Sequence, residues 1–589
     1  MNRNSTLFKL IPILLLGLVA CNKVSENQKS PNIIIVMTDD QGWGDIQSHG
    51  NPQIDTPIMD KLADEGARFH RFFVSPVCAP TRASLLTGRD HLRTGTQWVT
   101  YGLENMRADE VTFAEVFKKA GYKTGLFGKW HNGSHYPMDP IGQGFDTFFG
   151  FKMGHFNNYF DSELEYNGNT VKTEGFITDV LTDSALSFIE RNKEQPFLAY
   201  VPYNAPHSPF QVPDMYFNKY KQRGLSDKNA TVYGMVENVD HNLGRILDKL
   251  DELNIAEETI VIFLTDNGPN GGDRFNGNMK GWKAKVDEGG VRVPFFIRWP
   301  GKIKPGTSIK ELTAHIDVLP TLVDLAGIKY EEVNPLDGKS FAPLLFEEQS
   351  DWPNRYLFTH QSRWDSLEQF PSSVRDNTYR LVSYNGEWEL YDMENDTSQI
   401  NNIANQKADV VAKMSEAYNA WFAEIQKEYK GRMPIPVGYK ASPSTILPAT
   451  ESYFSGNVGF KGKSGWSNDW LTNWTSTSDK IWWDLDVIEE GNYMVEALYS
   501  LEEENVGTAI TVSSDADEIS YTFSSSYIAV QVPSPDRVER GEVYEQKWGR
   551  VPLGLLHLEK GNQQLKLRAN LIPGNSSIDL KRIILTKIK

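Results

Sequence analysis

The 589-residue chain predicts an α/β fold: a doubly wound sheet, a small α+β subdomain after it, and an added C-terminal β-sandwich. Three observations carry that expectation. Residues 32–37, 197–201 and 259–265 are continuous apolar runs rich in β-branched side chains, the pattern of strands buried on both faces. Helical patterns at 109–121, 176–191 and 231–253 lie between those runs, and strands that alternate with helices build parallel sheets. Beyond residue 449 only short alternating segments follow one another between turns, as in a sandwich.

In chain order, a basic start with Arg3 and Lys9 precedes an eleven-residue apolar run at 10–20. That run is too short to span a bilayer and suits the core of a signal peptide, 1–20. It ends Leu18-Val19-Ala20-Cys21, which resembles the lipobox of bacterial lipoproteins. The resemblance implies a lipid on Cys21, a polar tether at 21–31, and a protein exported to the periplasm or outer membrane that meets the bilayer only through this anchor. The α/β domain occupies 32–330. From 331 the pattern changes to short strands at 379–384 and 388–391 and a helix at 407–429, giving the α+β subdomain 331–430. Residues 431–448, rich in Pro, Gly and Ser, read as a linker. Strand-like segments at 480–486, 493–498, 508–513, 564–569 and 579–586 then build the sandwich 449–589.

Sixty basic against 77 acidic residues leave a formal charge of −17. General affinity for nucleic acid is excluded on that balance, because no basic surplus exists to displace counterions. An anionic substrate must therefore be held by a local cluster of positive charge. The two cysteines, Cys21 and Cys78, cannot staple a chain of this length with disulfides.

Asp39, Asp40, Asp266 and Asn267 fall at the ends of two predicted strands, where ligands of open α/β sheets gather. Three carboxylates and an amide oxygen suit a hard cation, Ca²⁺ or Mg²⁺ rather than Zn²⁺. Taken singly, such residues serve equally as turn formers or helix caps.

Cys78 stands in Ser75-Pro76-Val77-Cys78-Ala79-Pro80-Thr81-Arg82-Ala83-Ser84-Leu85-Leu86-Thr87-Gly88-Arg89. With its flanks this stretch resembles the signature of the type I, formylglycine-dependent sulfatases of the alkaline phosphatase superfamily. Five further segments share the resemblance: Thr38-Asp39-Asp40-Gln41-Gly42, Gly128-Lys129-Trp130-His131, Ala205-Pro206-His207-Ser208-Pro209, Thr265-Asp266-Asn267-Gly268, and Lys283 leading to Glu288-Gly289-Gly290-Val291-Arg292. It covers roughly 31–404 and implies an alkaline-phosphatase-like sheet.

The resemblance implies that a formylglycine-generating or radical maturase oxidises Cys78 to an aldehyde whose hydrate is the nucleophile. One hydroxyl attacks sulfur and the other later expels sulfate, an exit that an unmodified thiol lacks. Arg82 would hold the hydroxyls. One Ca²⁺ would sit among Asp39, Asp40, Asp266, Asn267 and the modified Cys78, with Asp266 also taking the proton of the attacking hydroxyl. Lys129, Lys283 and His207 would clamp the sulfate, supplying the local positive charge that composition demands. His207, with Lys283, would protonate the departing alkoxide, and His131 would take the second diol proton, tasks that suit imidazole.

The family fixes the sulfate more firmly than the alcohol. His135, His155, Asn157, Asn158, Arg274 and Asn276 lie in loops whose imidazole, amide and guanidinium groups can fork onto vicinal hydroxyls. Trp466, Trp470, Trp474, Trp482, Trp483 and Trp548 fall in the sandwich, which is similar to the modules that accompany carbohydrate-active enzymes; such tryptophans either stack on sugars or fill the core. The expected substrate is a sulfated carbohydrate, with oligosaccharides of algal polymers such as ulvan or carrageenan first. A phosphodiesterase or phosphonate hydrolase of the same superfamily, or a catalytically dead glycan-binding lipoprotein, are the alternatives.

Overall fold

Strand β1 (Asn32–Thr38) sends Ile34 and Val36 into one apolar cluster and Ile33, Ile35 and Met37 into another, so both its faces are core. Fully burying one such side chain is worth about 1.5–3 kcal/mol, which is why the run carries no polar residue between Asn32 and Thr38. The computed structural model describes residues 30–588 apart from 272, 347–350 and 364; the expected signal peptide, Cys21 and most of the expected tether lie outside them. No helix among the described residues is long and apolar enough to cross a membrane.

Around β1 stand β2 (Ala67–Phe73), β3 (Lys123–Lys129), β4 (Thr147–Phe151), β5 (Glu163–Tyr166), β6 (Asn169–Lys172), β7 (Phe197–Pro202), β8 (Thr259–Thr265), β9 (Arg292–Arg298) and β10 (Thr307–Ile309), in the order β10-β2-β9-β8-β1-β7-β3-β4-β5-β6. The central strands β8, β1, β7, β3 and β4 are parallel. The sheet as a whole is mixed, within the doubly wound α/β architecture expected. β9 runs antiparallel to β8 and β2, and β5 and β6 form an antiparallel edge hairpin. A parallel connection needs a crossover helix, and between β8 and β9 the described residues form only the one-turn helix Glu288–Val291.

Helices cover both faces. α1 (Pro57–Asp64), α4 (Ile177–Asn192), α5 (Asp214–Gln222) and α6 (Asp227–Glu252) pack on the Ile34 side, while α2 (Cys78–Thr87) and α3 (Phe113–Lys119) pack on the other. α3 starts four residues later than its predicted start because Thr112 and Glu115 form a capping box: Thr112 Oγ1 accepts from the Glu115 amide at 3.3 Å and Glu115 Oε2 from the Thr112 amide at 2.9 Å. α6 starts earlier than predicted, at the Ser226 cap.

The subdomain is a four-stranded antiparallel sheet, Leu357–His360, Ser372–Arg375, Tyr379–Ser383 and Glu389–Asp392, covered by the helix Ala408–Glu428 through Met414, Tyr418 and Phe422. The C-terminal domain consists of two packed six-stranded sheets and a two-stranded one that pairs Val530–Gln531 with Gln546–Lys547. Residues 431–448 are not a linker: Ile435–Val437 pairs with Lys480–Val487, and Ser444–Pro448 pairs with Asp579–Lys587. Their prolines hide these strands from a sequence reading, yet Pro436 is tolerated because Ile435–Val437 lies at a sheet edge. Trp470, Trp474 and Trp483 are core residues, Trp482 stacks on Tyr453, and Trp466 alone of the six is counted among the exposed large side chains.

The sandwich docks directly on the α/β domain. Tyr101 donates to the Ser464 carbonyl at 2.8 Å, and buried His135 meets buried Glu451 at 3.1 Å. Beside them, burial pushes the Glu104 carboxyl up to about 8, with Glu451 adding like-charge repulsion. A carboxyl raised on folding stabilises the fold below its unfolded value and loses that contribution as pH rises to the folded one. Glu104→Gln is therefore expected to leave Tm unchanged near pH 4.5 and to raise it by a few degrees above about pH 8, read from thermal unfolding across that window. An equal shift at both ends would contradict this account of the interface.

Candidate active site

In the β1–β8 register Thr38 lies opposite Thr265, so the chain leaves two adjacent strand ends as Asp39-Asp40 and Asp266-Asn267. The Asp40 amide donates to Asp266 Oδ1 at 3.2 Å and Asn267 Nδ2 donates to Asp40 Oδ1 at 2.8 Å. On the other side of β1, the Asp39 amide bonds the Ala205 carbonyl at 3.0 Å and thereby ties down the turn after β7 that carries His207. Lys129 is the last residue of β3. Cys78 opens α2 and Arg82 follows one turn later on the same helix face. Lys283 comes from the loop between β8 and β9, and the Ala284 amide fastens that loop to the Pro76 carbonyl at 2.8 Å.

All three aspartates are fully buried, as is Arg82. The guanidinium donates to Asp266 Oδ2 at 2.8 Å, to Asp39 Oδ2 at 3.2 Å and to the Lys129 carbonyl at 3.0 Å. Lys129 Nζ reaches Asp39 Oδ2 at 2.5 Å, Lys283 Nζ reaches Asp40 Oδ1 at 2.7 Å, and His207 Nε2 stands 3.7 Å from Asp40 Oδ2. Burial alone would raise the carboxyls of Asp39 and Asp40, but Lys129 beside the first and Lys283 beside the second hold both below the usual range. Asp266 goes the other way, pushed up to about 7 by burial and by Asp39, against the pull of Arg82. Burial raises the Cys78 thiol, and Lys129 and Lys283 offset this only in part.

These residues fit a divalent cation. Asp39 Oδ1 and Asn267 Oδ1 are buried without a hydrogen-bond partner, an expensive state for two oxygens. Ligand atoms of Asp39, Cys78 and Asp266 lie within 4.8 Å of one another. Three carboxylates are balanced by Arg82, Lys129 and Lys283, so an added cation would give the pocket the net positive charge that a sulfate needs, and would relieve the repulsion between Asp39 and Asp266.

His131 has φ 68° and donates from Nε2 to the Val99 carbonyl at 2.9 Å. Its Nδ1 is then unprotonated, and it is buried without a partner. Burial and Lys129 keep the ring neutral. Gly154 makes room for it: a Cβ there would come within 2.0 Å of Nε2. His207 donates from Nδ1 to the Ser208 carbonyl at 2.6 Å, and burial and Lys283 lower it too.

Of the loop residues expected to touch sugar, His155 alone joins this pocket, its ring centroid 5.6 Å from that of His207. The others are occupied by protein partners. His135 pairs with Glu451; Asn157 Oδ1 accepts from Arg540 at 2.7 Å; Asn158 Nδ2 donates to the Pro533 carbonyl at 3.3 Å. Arg274 donates to the Asp40 carbonyl at 3.0 Å and Asn276 to the Gly289 carbonyl at 3.2 Å, which braces the metal-type loops from behind. One pocket residue goes unread in the sequence, Glu542 of the sandwich, bonded to Ser208 at 2.6 Å. No motif surrounds it.

Residues 31–328 match the sulfatase family. The chain belongs to that family. It is a sulfatase, a sulfuric ester hydrolase with the alkaline-phosphatase-like fold, and residues 280–424 also match the C-terminal region of N-sulphoglucosamine sulphohydrolase. An uncharacterized sulfatase of Escherichia coli (strain K12) is 30% identical over 473 residues, 65% of this chain and 84% of its own. The N-acetylglucosamine-6-O-sulfatase of Bacteroides thetaiotaomicron is 27% identical over 530 residues, 72% of this chain and 91% of its own. The crystal structure of Ps i-CgsB in complex with k-i-k-neocarrahexaose superposes with a TM-score of 0.64 at 29% identity, over 69% of this sulfatase and 95% of that chain. Neither family match reaches past residue 424, so the sandwich lies outside both.

Proposed function

We propose that this sulfatase hydrolyses sulfate esters of a carbohydrate, with Cys78 oxidised to formylglycine as its nucleophile and one Ca²⁺ held by Asp39, Asp40, Asp266 and Asn267. The observation that carries the reading is the convergence of buried Cys78, Arg82 and three buried aspartates with Lys129, Lys283 and His207 at four neighbouring strand ends. A thiol raised by burial stays protonated and is a poor nucleophile, which supports its replacement by a hydroxyl-bearing group. Bound calcium would supply Lewis-acid stabilisation of charge on the sulfuryl oxygens.

Lys129 and Lys283 bind and orient the sulfate as point charges. Asp266, whose carboxylate lies within 4.8 Å of Cys78 Sγ, would accept the proton of the attacking hydroxyl. His207 must carry a proton on Nε2 to protonate the leaving oxygen, and the negative charge of a bound ester favours that form. His131 offers the bare Nδ1 for the proton released when sulfate departs. The carbohydrate part rests on a relative named N-acetylglucosamine-6-O-sulfatase and on the neocarrahexaose complex. Oligosaccharides of carrageenan or ulvan stand first. Export on a lipidated Cys21 would bring the enzyme to such polymers outside the cytoplasm.

Turnover of 4-methylumbelliferyl sulfate against a phosphate diester of the same phenol, mass spectrometry of the Cys78 peptide, and NMR of a desulfated glycan panel test the reading. An unmodified thiol in active protein, or preference for the diester, would overturn it. Chelation is expected to lower Tm and Ca²⁺ to restore it; a cation at 100 times its Kd stabilises by about 2.7 kcal/mol. A Tm indifferent to both treatments would remove the metal from the site.

A further inference from the structure

The sandwich does more than dock. Its segment 532–545 lies along the loops that bear the pocket residues. The Arg537 amide donates to the Phe210 carbonyl at 2.9 Å, and Gln211 Nε2 donates to Ser534 Oγ at 2.8 Å and Asp536 Oδ1 at 2.7 Å. Arg540, itself paired with Asp536, donates to Asn157 Oδ1, which also accepts from the Glu545 amide at 3.1 Å. Glu545 is anchored in turn by Lys581 at 3.1 Å and Trp548 Nε1 at 2.9 Å. Between these fixed points Glu542 is presented to the pocket.

There Glu542 Oε1 accepts from Ser208 Oγ at 2.6 Å and stands 4.0 Å from His155 Nδ1. Ser208 is the neighbour of His207 in the chain, and the His155 and His207 rings are in edge contact. The side chains of Glu542 and His155 are 10% and 6% exposed. Yet Glu542 Oε2 and His155 Nε2 are both buried without a hydrogen-bond partner. Two orphaned polar atoms on adjacent side chains, one an acceptor, are costly unless something polar completes them. The two side chains border the imidazole proposed to serve the leaving oxygen, His155 by ring contact and Glu542 through Ser208, so a polar group of the leaving alcohol would be placed to complete them.

We infer that Glu542, delivered by the C-terminal sandwich, and His155 form a fork for a free hydroxyl next to the sulfated position of the sugar, and that Glu542 sets specificity against a second anion there. The inference rests on the carbohydrate reading above. A carboxylate accepts from a hydroxyl, whereas it repels a vicinal sulfate or an adjacent uronate carboxylate. The accepted class is therefore a sugar sulfate ester with an unmodified vicinal hydroxyl. The catalytic domain alone lacks this discrimination, because the group that provides it lies more than 100 residues past the last family match.

The test compares wild type, Glu542→Gln and Glu542→Ala on 4-methylumbelliferyl sulfate, which has no vicinal hydroxyl, and on a panel of carrageenan and ulvan oligosaccharides, N-acetylglucosamine 6-sulfate and N-acetylgalactosamine 6-sulfate. Tm is measured for each protein. On the best sugar, kcat/KM should fall by about tenfold or more in both variants, while the aryl sulfate changes by less than about threefold. Glu542→Gln should also narrow the preference for a monosulfated sugar over its vicinally disulfated counterpart. Equal losses on aryl and sugar esters, or no loss on sugar, would overturn the inference and leave the carbohydrate reading intact. Wild type that cleaves the aryl ester and none of the sugars would sink the carbohydrate reading, and this inference with it.

Discussion

Cys78→Ala is expected to cut turnover of an aryl sulfate by roughly 10⁴-fold or more while leaving the fold in place. The side chain is 2% exposed and small, and its removal deletes one buried atom from the start of α2 without touching the ion pairs around it. The stability cost should stay near 1 kcal/mol. Ca²⁺ affinity, measured by calorimetry, should survive in weakened form, because Asp39, Asp40, Asp266 and Asn267 remain. Residual activity within tenfold of wild type would show that some other group attacks sulfur. Loss of the fold, read from Tm, would show that the residue acts through packing.

Arg82→Met carries the largest expected stability effect. The guanidinium is fully buried and holds two carboxylates and a backbone carbonyl at once. Removing one partner from a buried charge network typically costs about 3–5 kcal/mol, since the opposite charges are left without compensation. Asp39 keeps Lys129, but Asp266 loses its only direct ion-pair partner among the described residues. The variant should lose turnover, and its Tm should depend more steeply on Ca²⁺ than that of wild type, because the cation becomes the remaining counter-charge. Arg82→Lys should not rescue it: one ammonium cannot span Asp39, Asp266 and the Lys129 carbonyl as a planar fork does. A Tm within about a degree of wild type would mean that the network is not what holds this end of the sheet.

The central strands were legible because a strand buried on both faces has no polar side to break the run, as 32–38 and 259–265 illustrate. The meeting of the candidate site residues was legible for a related reason: Asp39, Asp40, Lys129, Asp266 and Asn267 sit at strand ends and Cys78 and Arg82 in the first turns of α2, where short motifs specify position, although Lys283 comes from a long loop. Direction and partners were not. Nothing in 292–298 says that β9 runs antiparallel, because that follows from the lack of a long helix in the preceding connection. The prolines of 431–448 mimic a linker although both short strands are paired. Asn157 has the same side chain whether it binds a sugar or an arginine, and its actual partner lies 383 residues away. Glu542 was invisible for the same reason.

Folding must bring Thr38 and Thr265, 227 residues apart, into register before Asp39 and Asp266 can face each other. Closing so long a loop is an entropic step that local helix formation cannot replace, and chains dominated by such contacts fold slowly. A collapsed species with its helices formed but this seam open holds no trace of the active centre. The Asp266 amide, which donates to the Thr38 carbonyl at 3.1 Å, is thus a clock for maturation. Its protection from hydrogen exchange should rise in step with regained turnover, and later than protection of the amides within α4 or α6.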